Sequence, residues 1–81
     1  MSLRLIAKDP NTDTGQSPTV WVDEETHELV LQGWKIDAAT MAECLKAGII
    51  PDHEAVVRLP ARMIQIIREA CDVAERRAQL R

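Results

Sequence analysis

Apolar and polar positions divide the chain into segments of different period. The run LRLIAKD over residues 3–9 alternates loosely between apolar and polar side chains, which predicts a strand or a strand-like arm. PNTDTGQSP, residues 10–18, consists of turn-forming and polar residues, so a flexible exposed loop is expected there. It is longer than most connections; a solvated loop is the ordinary outcome and a mobile binding element the alternative. TVWVD and ELVLQGWKI are rich in β-branched and large apolar residues and flank DEETHE, which predicts a β-hairpin with a four- or five-residue connection. His27 falls where such a turn wants positive φ, a conformation in which His is among the enriched non-glycine residues.

With Asp23 opposite Glu28, the hairpin has Val20, Val22, Leu29 and Leu31 on one face. The opposite face has Trp21, Val30, Trp34 and Ile36, interrupted by Thr19 and Gln32. A half-solvated antiparallel sheet alternates apolar and polar positions, whereas both faces of this one call for cover. Gly33 leaves room for a close approach to the strand, expected to come from the terminal helix.

DAATMAECLKAG, residues 37–48, carries helix signals: Asp37 as N-cap, Gly48 as left-handed stop and Pro51 beyond. Ala38, Met41, Ala42, Leu45 and Ile49 fall on one stripe. EAVVRL, residues 54–59, predicts a further extended element that Pro60 stops while presetting φ for the next helix. That helix, from Ala61 to about Leu80, splits into an apolar and a polar half. Ala70, Ala74 and Ala78 lie near the middle of the apolar arc, which is wider than one sheet contact requires. Small residues there admit another backbone. The expected architecture is α+β: a small antiparallel sheet built on a hairpin, a short helix and a long C-terminal amphipathic helix, in one domain over residues 1–81.

Composition adds a constraint on stability. The 81 residues include neither Phe nor Tyr, so the core must be aliphatic with two Trp. A domain of this size hides only about 60% of its unfolded surface and commonly needs a staple or a partner. No apolar run approaches the roughly 20 residues that span a bilayer, and no signal-peptide pattern precedes the domain. A cytoplasmic protein with reduced Cys44 and Cys71 and no membrane contact is expected. Two apolar surpluses, on the hairpin and on the terminal helix, would both be met by a second copy, so a homodimer is expected. Its interface residues would be Trp21, Val30, Trp34, Ile36, Ala70, Ala74 and Ala78.

Candidate chemistry is sparse. His27, Cys44, His53 and Cys71 stand singly rather than in the close pairs of a zinc site, and both cysteines border apolar helix stripes. Gly15, Gly33 and Gly48 are isolated, so no phosphate loop is formed. The acids of DEETHE belong to a hairpin tip, the opposite of the cleft that acid–base catalysis needs. No metal, cofactor or catalytic residue is assigned, and a non-enzymatic protein is expected. Net charge is −3, but residues 1–54 hold four basic against ten acidic side chains and residues 55–81 six against three. The front is therefore −6 and the back +3. Arg62, Arg68 and Arg76 alternate with acids along the last helix, which makes a salt-laced face rather than a phosphate-tracking stripe. Arg76, Arg77 and Arg81 form the one unopposed cluster and are the candidate nucleic-acid contacts of a direct DNA-binding dimer.

RLIAKDP, GQSPTVWVDEET, LVLQGWKI and PDHEAVVRLPARM together resemble a group of small uncharacterised actinobacterial proteins often associated with genes for helix-turn-helix regulators. The resemblance runs from Arg4 to Met63 and is weakest in the short-helix region; more remotely, size and plan are similar to the BldB type of developmental regulator. It brings no catalytic residues. It implies a non-enzymatic protein-interaction module, an accessory or antitoxin-like partner of a helix-turn-helix transcription regulator.

Overall fold

A computed structural model of the protein describes residues 2–11 and 17–79, with side chains up to residue 76. The fold is α+β. β1 (Leu3–Lys8), β2 (Thr19–Asp23) and β3 (Leu29–Gln32) form an antiparallel sheet with β2 in the centre. β4 (Trp34–Lys35) and β5 (Val57–Arg58) form a second, two-stranded sheet. α1 (Ala38–Leu45) lies between these two strands in sequence, and α2 (Ile64–Gln79) follows a 3₁₀ turn at Ala61–Met63. The expected loop lies mostly outside the described residues, of which only its ends, Pro10, Asn11, Ser17 and Pro18, are part.

The hairpin register is the one the side-chain alternation predicts. Val20 pairs with Leu31, Trp21 with Val30 and Val22 with Leu29. The turn works because Asp23 organises it: its Oδ1 accepts from the backbone N–H groups of Glu25 and Thr26, and its carbonyl accepts from His27 N–H at 2.8 Å. His27 then takes φ 66°, the left-handed conformation expected of it. Its Nδ1 is buried without a hydrogen-bond partner.

α2 lies mainly over β2. Val20 and Val22 meet Met63, Ala70, Val73 and Ala74, with Ile6, Leu59, Ile66 and Ile67 packed around them. Ile6, at the register shift between Leu5 and Ala7 in β1, faces this cluster. Ala70 and Ala74 are thus consumed by the chain's own sheet, where their small size lets α2 sit close to it. They are not available to a partner, contrary to the expectation for the alanine stripe. The core is narrow: Leu29 and Leu31, on the same sheet face as Val20 and Val22, remain 36% and 42% exposed because α2 does not reach across the edge strand.

Two further expectations are corrected. The hairpin strand does not continue through Ile36: it breaks at Gly33, and Trp34 pairs with Arg58 in the second sheet. The close approach that Gly33 permits is made by this returning segment and not by the terminal helix, since a Cβ there would lie 2.8 Å from the Arg58 carbonyl oxygen. Trp34 therefore leaves the sheet that carries Trp21. The short helix, in turn, covers neither sheet face. It is capped as expected, Asp37 Oδ1 accepting from Thr40 N–H at 2.8 Å, but it ends at Leu45, ahead of Gly48 with its φ of 148°. None of its residues is buried, and Ile49 just beyond is 88% exposed.

These contacts generate two predictions. Gly33→Ala forces a methyl group against backbone and is expected to destabilise by about 2 kcal/mol, read from the urea midpoint. Asp37 has its carboxyl held below the usual range, first by the hydrogen bond from the Thr40 side chain, then by the Thr40 N–H, with Arg58 adding to both. A lowered folded value means that the cap's contribution is complete above the ordinary aspartate range and is lost as pH falls through the lowered value. Acid titration followed by circular dichroism should show this loss of helix, and Asp37→Asn, which caps without titrating, should reduce its pH dependence.

Candidate interaction surface

The polar junction at the start of α2 joins the parts of the fold. Asp9 ends β1 with its side chain fully buried, and Arg62 grips it with two bonds, Nε to Oδ1 at 2.7 Å and Nη2 to Oδ2 at 2.6 Å. The same guanidinium lies 5.9 Å from the Trp34 ring centroid, so one side chain touches both sheets and the terminal helix segment. Hydrogen bonding to Asp9 raises the Arg62 pKa against the opposing effect of desolvation, and the Coulombic attraction of the same carboxylate adds to it. Beside it, Asp9 N–H donates to the Pro18 carbonyl at 2.8 Å, and Thr19 Oγ1 and Gln32 Nε2 both donate to the Ser17 carbonyl. These bonds close the stem of the loop and leave buried Ser17 and Thr19 satisfied.

Around this junction the surface is apolar in three places. The outer face of the three-stranded sheet carries Leu3 and Leu5 from β1, Trp21 from β2 and Val30 from β3; Trp21 is half-buried and the others are exposed. The β3 edge adds Leu29 and Leu31 on the helix side. Along the start of α2 runs a groove of about 270 Å³ lined by Leu59, Pro60, Met63, Ile64 and Ile67 and rimmed by Arg68. α1 has no buried residue and is tied to β5 by a 2.7 Å bond from Arg58 Nη2 to Thr40 Oγ1.

The residues singled out in the sequence are thus scattered. Trp21 and Val30 are cross-strand neighbours on one face. Trp34, 45% exposed, stacks with Arg62 instead, and Ile36 is half-buried beyond β4. Ala70 and Ala74 are in the core, and the side chain of Ala78 lies outside the described ones. Arg76 is exposed and donates from Nε to the Asp72 carbonyl of its own helix at 3.3 Å. The side chain of Arg77 and all of Arg81 lie outside the described residues. Cys44 and Cys71 are free thiols, each half-buried, and His53 is exposed beside Glu54 at 3.8 Å. Among the described residues no three His, Cys, Asp or Glu side chains are placed to share a metal ion, and no helix is long and apolar enough to cross a membrane. The Asp9–Arg62 pair was not visible in the sequence, because its partners are 53 residues apart.

No protein family, curated protein or solved structure matches the chain.

The junction predicts an asymmetry between its two partners. Asp9→Ala leaves a guanidinium that still reaches water, and is expected to cost about 2 kcal/mol in urea denaturation. Arg62→Ala takes from the buried Asp9 carboxylate its two short charged bonds, leaving the 3.1 Å bond from Asn11 N–H, and removes the contact with Trp34, so its loss should be the larger of the two.

Proposed function

We propose that the protein is a non-enzymatic protein-interaction module that acts in the cytoplasm as a homodimer and as an accessory, antitoxin-like partner of a helix-turn-helix transcription regulator. The observation that carries the interaction role is aliphatic surface left open among the described residues: Leu5 is 53% exposed, Leu45 51%, Ile49 88% and Ile64 55%. Much of what is left open is aliphatic, on β1, β3, α1 and the start of α2. Solvated aliphatic area of this extent fits a chain whose folded state is completed by another chain.

The regulator as partner rests on the resemblance of RLIAKDP, LVLQGWKI and PDHEAVVRLPARM to the actinobacterial group. The −6 charge of residues 1–54 supports it, since an acidic surface competes with DNA for a basic one. Direct DNA binding through the C-terminal arginines is the weaker alternative, because Arg76 is engaged on its own helix and Arg68 shares its face with acids.

Sedimentation equilibrium at micromolar concentration should give twice the 9.1 kDa chain mass; a monomer would refute the dimer. Co-expression with helix-turn-helix regulators of its own genome should yield a complex with one of them that alters that regulator's operator binding. Failure to co-purify refutes the accessory role.

A further inference from the structure

The hydrogen bonds of the central sheet fix which backbone groups of β3 are committed. Asp23 N–H donates to the Glu28 carbonyl, and Glu24 N–H to the Ser2 carbonyl. Odd-numbered residues of β2 therefore direct their polar groups to β3, and even-numbered ones to β1. With the observed pairing of Trp21 with Val30 and Thr19 with Gln32, it is Val30 and Gln32 that bond to β2, and Leu29 and Leu31 that turn their N–H and C=O groups outward. β3 is an edge, and among the described residues no hydrogen bond joins the backbone of Leu29 or Leu31 to another element. Proteins usually protect such an edge with lysine, proline, a bulge or a covering segment. β3, reading LVLQ, has none of the first two, no register shift toward β2, and side chains that are all exposed.

The geometry points to β3 as a self-pairing edge: two copies join their β3 strands antiparallel about a two-fold axis at Val30, forming one continuous sheet of six strands. The proposal rests on the dimeric function above and gives it a structure. A two-fold at Val30 sets Leu29 of each copy opposite Leu31 of the other, so all the outward N–H and C=O groups of both residues are paired. Centring one residue earlier or later leaves Leu31 opposite the turn residue His27 or Leu29 opposite Gly33. The Val30 axis also places Glu28 against Gln32, so no like charges meet. Because the axis is perpendicular to the sheet, both α2 helices stay on one side. The four leucines close against each other in the trough between them. On the other side the two Val30 side chains meet at the axis, each beside the Trp21 of its own chain. The exposed side chains on both faces of β3, Leu29 and Leu31 on one and Val30 on the other, are thereby covered by one contact.

Two variants of the full chain test this, both with Cys44 and Cys71 changed to Ser. Leu31→Pro removes an N–H that the β2–β3 ladder does not use, and follows a residue already in the extended conformation that precedes proline. It should sediment as a monomer while the parent protein remains a dimer. Val30→Cys places two thiols at the axis. The non-hydrogen-bonded pair there has a Cα separation of about 4.5 Å, within disulfide range. Mild oxidation should convert most of it to a covalent dimer, whereas Lys35→Cys should stay uncrosslinked. If the parent is dimeric but Val30→Cys fails to crosslink, pairing through β3 is overturned while the dimeric function stands. A folded Leu31→Pro that remains dimeric has the same meaning, and if Leu31→Pro does not fold, the crosslink alone decides. If the parent is monomeric at micromolar concentration, both are overturned.

Discussion

Arg62 is the point at which the parts of this small protein are held together. Its bidentate bond to the buried Asp9 ties the entry of the terminal helix to the end of β1, and its stacking on Trp34 ties the same point to the second sheet. Without it, β4 and β5 would be attached to the main sheet chiefly by chain connection and by the close contact at Gly33. A half-exposed arginine over a fully buried carboxylate is a favourable division of labour. The carboxylate, which is costly to desolvate, receives two short bonds, and the guanidinium keeps part of its hydration.

Around that junction the core is too thin to close the domain by itself. Among the described residues the buried core cluster is Val20, Val22, Met63, Ala70, Val73 and Ala74, set between β2 and the terminal helix with the turn that precedes it. A single helix about 10 Å wide covers roughly two strands of a sheet, since strands are spaced about 4.8 Å apart. The third strand is left at the margin with leucines facing the helix side, and the outer face has no helix at all. The exposure of Leu3, Leu5, Leu29, Val30 and Leu31 is a direct result of this geometry: one helix is set against a three-stranded sheet, and α1 is not folded onto either face.

The hairpin could be read from the sequence because side-chain alternation and turn chemistry are local. Asp23 organises the turn, His27 accepts positive φ, and a slip of one residue would have exchanged the two faces. The ends of both helices were harder, as helix α1 stops before its glycine and α2 begins with a 3₁₀ turn. What escaped entirely depends on distance along the chain. Nothing at Gly33 says whether a helix or a strand will press on it, so Trp34 was placed in the wrong sheet. The alanines of α2 fit a partner helix and a flat sheet equally well; only tertiary packing assigns them to the chain's own β2. Of the candidate surface, the Trp21–Val30 pair was legible and the Arg62 junction was not.

The stem bonds from Asp9 to Pro18 and from Thr19 and Gln32 to Ser17 separate the mechanics of the fold from the sequence between them. Once a loop's ends are fixed by their own hydrogen bonds, doubling its length costs only about 0.6 kcal/mol in closure entropy. The join of β1 to β2 is therefore set by the bonds of Asp9, Ser17, Pro18 and Thr19 themselves, and a change of length between Asn11 and Ser17 is expected to cost the sheet little.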